Sequence, residues 1–116
     1  MTMSRLSSPK NPLVAPETDV EQTPNTRLIP PYNLILYNDD DHSMEFVVQV
    51  LCKALGYAVE RAILFMLEAH TSGRAIVWTG SREVAELKLE QMRTFHEIRE
   101  RDQANLGPLH CDIEPA

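Results

Sequence analysis

A chain of 116 residues and 13.2 kDa is the size of one domain, and such a domain buries only about two thirds of the surface its unfolded chain exposes, so a large enclosed active site would compete with the core for volume. Eleven lysines and arginines against 17 aspartates and glutamates give a net charge of -6, a field that repels nucleic acid and favours cationic or neutral partners. No apolar run is long enough to span a membrane, the first twenty residues lack a signal-peptide core, and Cys52 and Cys111 stand outside any CxxC pair, so the expectation is a cytoplasmic protein with two reduced thiols and no membrane partner.

Residues 1–31 hold six of the eight prolines and no aromatic residue. Their three basic and three acidic groups cancel. Such a segment cannot build a core and is expected to be a disordered, flexible N-terminal tail, leaving 32–116 as the folded domain and the bearer of the whole net charge. From Tyr32 the pattern changes. The run YNLILYN predicts a short strand, ended by the turn formers Asn38 and Asp39. In SMEFVVQVLCKALG the apolar positions Phe46, Val47, Val50, Leu51, Ala54 and Leu55 recur at helical spacing before Gly56 stops them. A second helix is expected from about Val59 to Thr71, with Ala62, Ile63, Met66 and Leu67 as its apolar face and Gly73 after it. RAIVWT predicts a second strand. Ser81 then caps a charged helix over 82–101, with Ala85, Leu89, Met92 and Phe95 along one side. LHCDI closes the chain as a last strand. The order β-α-α-β-α-β predicts an α+β domain, a small three-stranded antiparallel sheet packed against three helices.

Two places hold candidate chemistry. Asn38, Asp39 and Asp40 lie between a strand and a helix, where they serve either as turn and cap residues or as an electrostatic site that favours a cation. His70 shares a helical face with Met66 and Ala69. It is either a boundary residue or the directional polar group beside an adaptable apolar wall. An apolar wall with an acid and histidine rim would suit an amino group attached to a hydrophobic side chain.

Four stretches in order resemble the ClpS adaptors: NDDDHSMEFVV, the second-helix segment VERAILFMLEAHTSGRAIV, the third-helix entry SREVAELK and the terminal PLHCDIEPA. The resemblance covers about 33–116. It implies the ClpS-like fold, similar to the C-terminal domain of ribosomal protein L7/L12. The function it implies is that of a non-enzymatic, cofactor-free and metal-free adaptor of the N-degron pathway. Such adaptors recognise substrates that begin with Leu, Phe, Tyr or Trp and deliver them to a Clp-type AAA+ unfoldase, ClpA or ClpC like, with its peptidase. Carried over by motif, Asn38, Asp39 and His70 would hold the substrate's α-ammonium, with Asp40 near the peptide backbone. Met44, Val47, Met66, Ala69 and Leu109 would line the pocket for the first side chain. Glu83 and Lys88 would dock on the unfoldase, and the tail would engage it during delivery. Protonation would remove His70 as an acceptor, so binding is expected to weaken in acid.

The rim Asp41, His42, Ser43 departs from the family's pattern, in which Thr-Pro precedes the pocket methionine. The helix cap must then come from Asp41, His42 or Ser43. Ala69 stands where valine is common and leaves room for a broad ring. Two other readings are a ClpS-like regulator that docks without delivering N-degrons, and a small metal-dependent hydrolase built on Asp39, Asp40, Asp41, His42 and His70. The acid and histidine spacing matches no standard metal loop, and no nucleophile has an evident base. A monomer is expected, because no heptad array or broad apolar face calls for self-association.

Overall fold

The computed structural model describes residues 29–116. The expected tail lies outside them except for its last three residues. Tyr32–Tyr37 forms β1, whose aliphatic run makes it the central strand of a sheet ordered β2-β1-β5. Its neighbours are β2 (Arg74–Gly80) and β5 (Cys111–Pro115), and both pair with it antiparallel. Leu34 and Leu36 point into the main core while Ile35, which alternation sends to the other face, is buried as well. On that other side Arg74 of β2 and Glu114 of β5 meet at 2.8 Å, an ion pair that spans the central strand.

Three helices are present among the described residues. Helix α1 (Met44–Leu55) begins at Ser43, whose hydroxyl accepts from the Phe46 N–H, and ends at Gly56 with φ 75°. That left-handed turn suits glycine, which has no Cβ to strain there. Helix α2 (Val59–Ser72) buries Ala62, Met66 and Ala69. The expected apolar face is therefore rotated: Ile63 and Leu67 are 38% and 43% exposed. Helix α3 (Arg82–Arg93), capped by Ser81, buries Ala85, Leu89 and Met92.

α3 stops at Arg93, well short of the expected 101. The apolar period runs out at Phe95, and the Thr94 hydroxyl donates back to the Gln91 carbonyl at 2.7 Å, a local bond that competes with helix continuation. The chain then turns into a hairpin absent from the expected order, β3 (Ile98–Arg99) with β4 (Ala104–Asn105). Its turn is closed by Asp102, which accepts from the Arg99 guanidinium and from the Ala104 N–H, and by Gln103 at φ 57°. The α+β class and the three-stranded antiparallel sheet with three helices stand as expected. The core is formed where α1, α2 and α3 meet the sheet, with Val50, Leu51, Val77 and Met92 all but fully buried.

The single tryptophan marks one tight spot. The Trp78 ring covers Gly80 so closely that an added Cβ there would run into it, while Lys88 lies 5.3 Å from the ring centroid. Gly80→Ala should displace the indole and cost about 1–3 kcal/mol, the usual range for overpacking. A shifted tryptophan emission together with a lower urea midpoint checks this, and unchanged emission would count against it.

Candidate functional site

A cavity of about 150 Å³ opens between the end of β1, the N-terminus of α1 and the second half of α2. β1 ends in Leu36 and Tyr37, which form one wall. The chain leaves the sheet at Asn38 because its backbone bonds turn elsewhere: the Tyr37 N–H donates to the His110 carbonyl and the Asn38 N–H to the Gly73 carbonyl, each at 2.9 Å. Those two bonds bring the α2–β2 junction and the segment before β5 to the same corner. Met44 and Val47 of α1, Met66 and Ala69 of α2, and Leu109 supply the apolar lining. Asn38, Asp39, Asp40, His42 and His70 line its polar side.

All of the expected pocket residues thus share one cavity. Leu36 and Tyr37, which line it too, were not anticipated, although their place just before Asn38 and Asp39 was the available signal. Of the expected rim, His42 lines the cavity, whereas Asp41 and Ser43 do not. Glu83 and Lys88 are elsewhere, on α3, with Glu83 exposed in its first turn.

The carboxylates differ in what they already hold. Asp39 Oδ1 accepts from the Asp41 and His42 N–H groups at 3.0 and 3.1 Å and from His42 Nδ1 at 2.9 Å. Burial works against its ionisation, but the His42 hydrogen bond and charge and the backbone donors prevail and hold its pKa below the ordinary value. Asn38, Asp40 and His70 line the mouth, and among the described residues none offers their side chains a hydrogen bond. The C-terminal end of α2, with its partial negative charge, lies beside His70 and adds to the attraction for a cation.

The rim is built by residues far apart in sequence. His42 Nε2 lies 2.9 Å from the Gly107 carbonyl. Glu97 accepts from the Ser43 N–H at 3.0 Å and from its hydroxyl at 2.7 Å, while that hydroxyl accepts from Phe46. Of the three cap candidates, Ser43 is the one that caps α1. For His42, burial lowers the pKa, but the Asp39 hydrogen bond, the Gly107 carbonyl and the charges of Asp39 and Glu97 together raise it.

The pair has a defined pH window. With the His42 pKa raised by folding, its contribution is complete below the ordinary 6.5 and is lost as pH rises through the raised value. With the Asp39 pKa lowered, the contribution is complete above the ordinary 3.8 and is lost as pH falls through the lowered value. His42→Gln should therefore cost more stability at about pH 5.5 than at about pH 8.5, read from denaturant midpoints. Equal costs at both would argue that the ring is uncharged in the folded protein.

Next to the cavity, α1 and α2 leave an open apolar groove lined by Val48, Cys52, Val59 and Ile63, which shares Met44 and Met66 with it. Cys52 and Cys111 are free thiols. Among the described residues no three His, Cys, Asp or Glu side chains are placed to hold a metal ion, and no helix is long and apolar enough to cross a membrane.

Fold and cavity define a small ligand-binding α+β domain, with apolar lining on one side and acceptors on the other. Residues 28–112 match the family described as ATP-dependent Clp protease adaptor protein ClpS. The chain is 45% identical over 92 residues to the ATP-dependent Clp protease adapter protein ClpS of Pectobacterium carotovorum, covering 78% of this chain and 81% of that relative. It is 34% identical over 102 residues to the protein of the same name from Vibrio atlanticus, covering 86% and 91%. It also resembles the solved structure of Agrobacterium tumefaciens ClpS2 bound to L-phenylalaninamide, with TM-score 0.61 and 30% identity over 75% of this chain and 98% of that one. The chain belongs to the ClpS family, as the motifs of the sequence had indicated.

Proposed function

We propose that this chain is a non-enzymatic adaptor that captures proteins by a large apolar first residue, Leu, Phe, Tyr or Trp, and delivers them to a ClpA- or ClpC-like unfoldase and its peptidase. The observation that carries the reading is the cavity itself, with an apolar lining and the polar groups of Asn38, Asp39, Asp40 and His70, which can act as acceptors, at one mouth. A free amino terminus brings up to three N–H donors and a positive charge to those acceptors. The phenylalaninamide bound to the Agrobacterium relative has the same two parts, an aromatic side chain and a free amine. A volume of about 150 Å³ is that of a cavity known to accept a benzene ring.

In this reading Asn38, Asp39 and His70 hold the ammonium, with Asp40 near the peptide backbone. Asp39, bonded also to His42, fixes the loop as well. Met44, Val47, Met66, Ala69 and Leu109 take the first side chain. Glu83 and Lys88 on α3 face the unfoldase, the adaptor works as a monomer in the cytoplasm, and residues 1–31 form a separate arm engaged during delivery.

Fluorescence-anisotropy titration with peptides that begin with Leu, Phe, Trp or Lys tests the proposal. Binding of the first three at micromolar or better, with the Lys peptide at least ~10-fold weaker, is the expected result, since one unburied apolar side chain forfeits about 1.5–3 kcal/mol. Indifference to the first residue would move the reading to a regulator that occupies the unfoldase without carrying substrates.

A further inference from the structure

The His42 ring is enclosed between two oxygen acceptors. Its Nδ1 lies 2.9 and 3.1 Å from the two carboxylate oxygens of Asp39, and its Nε2 lies 2.9 Å from the Gly107 carbonyl. One face stacks on Phe46 with centroids 5.5 Å apart and planes 18° from parallel, and the side chain is 4% exposed. A neutral imidazole has one donor and one acceptor nitrogen. Opposite a carboxylate and a carbonyl, neither of which can donate, only the doubly protonated ring satisfies both ends. We propose that His42 is a positioning residue for ligand binding, an imidazolium clasp that joins Asp39 at the polar mouth to the Gly107 turn and thereby sets Leu109, two residues further on, in the apolar lining. The proposal rests on the amino-terminal receptor reading.

The clasp spans both halves of the recognition problem. At one end it fixes the carboxylate flanked by Asn38 and Asp40. At the other it steadies the segment whose Leu109 lines the cavity and whose His110 carbonyl receives Tyr37. The charged groups acting on the ring are Asp39 from the loop after β1 and Glu97 from the segment after α3. On deprotonation the charge-assisted bond to Asp39 is the one retained. The Nε2 lone pair is then turned against the Gly107 oxygen, and the clasp opens on the side of Leu109. Loss of the positive charge acts in the opposite sense on an ammonium ligand, but the mouth is open to solvent and that attraction is screened. Loosening of the lining therefore dominates, and affinity falls as His42 loses its proton.

The test is anisotropy titration of a labelled Phe-starting peptide with the full chain, wild type and His42→Gln, from about pH 6.5 to about pH 8.5, with 15N NMR of the His42 ring. A glutamine amide cannot donate from its single nitrogen toward both acceptors on opposite sides. At about pH 6.5 both ring nitrogens should be protonated, and the variant should bind roughly fivefold more weakly; by about pH 8.5 that ratio should shrink by roughly threefold as the wild-type clasp opens. Every other group, on the peptide or on the chain, is common to both measurements, so the ratio isolates His42. A constant ratio, or a nitrogen without its proton at the acid end, overturns the positioning role and leaves the receptor reading standing. Failure of both proteins to bind overturns the receptor reading and the positioning role together. Should the variant lose its fold by circular dichroism, the wild-type protein decides: a fall in affinity that tracks the NMR titration supports the clasp, and its absence overturns it.

Discussion

Acetylating the amino terminus of a Phe-starting peptide should weaken its binding at least ~100-fold, even though the apolar side chain is untouched. Hydrogen bonds to charged groups contribute about 1.5–3 kcal/mol each, so losing two of them removes about 3–6 kcal/mol, a factor of roughly 10² to 10⁴. Burial of the phenyl ring supplies about 1.5–3 kcal/mol, which alone gives no better than millimolar affinity once the entropy of association is met. Asp40→Asn should reproduce part of the effect by removing charge while keeping shape, and Asp39→Asn should combine weaker binding with a looser rim. The measurement is a pair of anisotropy titrations, free and acetylated, on the same chain. Equal affinities would mean that the cavity reads only the side chain, and the mouth would then need another role.

Much of this architecture is legible in local sequence, and the exceptions have a common cause. β1, α1 and the end of α2 are marked by short-range signals: an aliphatic run ended by Asn38 and Asp39, a serine cap, glycines at 56 and 73. The cavity could be read in outline because Met66, Ala69 and His70 are bound by helical spacing to one side of α2. The rim could not. The His42–Gly107 and Ser43–Glu97 bonds join residues 65 and 54 positions apart, and nothing in the sequence near His42 names either partner. The over-extended α3 has a simpler origin. Charged residues from 96 to 101 are good helix formers, but among them only Ile98 is apolar and it remains exposed, so no buried stripe held the helix together past Phe95. Leu36 belongs to the run that predicts β1, and a buried strand residue gives no local sign that one side of it faces a cavity.

That double position of Leu36 leads to a result that separates stability from binding. Leu34 and Leu36 occupy the same face of the central strand, paired with Trp78 and Ile113 in one case and with Ala75 and Cys111 in the other, and neither is more than 1% exposed. Truncating a sealed core leucine to alanine costs about 2–5 kcal/mol, the larger values arising where the surroundings cannot close the void. Leu34→Ala leaves such a sealed void and should fall near the top of that range, a large part of the ~5–15 kcal/mol that holds a domain of this size folded. Leu36→Ala opens its void into the neighbouring cavity, which water can enter, so it should cost less, about 2–3 kcal/mol. The order reverses for binding. Leu36→Ala removes a wall against which the first side chain packs and should lower affinity for a Phe-starting peptide roughly tenfold, whereas Leu34→Ala, where it remains folded, should change it little. Urea denaturation and peptide titration on the two variants decide the matter. Equal stability losses with unchanged affinity would place Leu36 behind the wall, and the ligand's side chain would then rest on the lining from α1, α2 and Leu109.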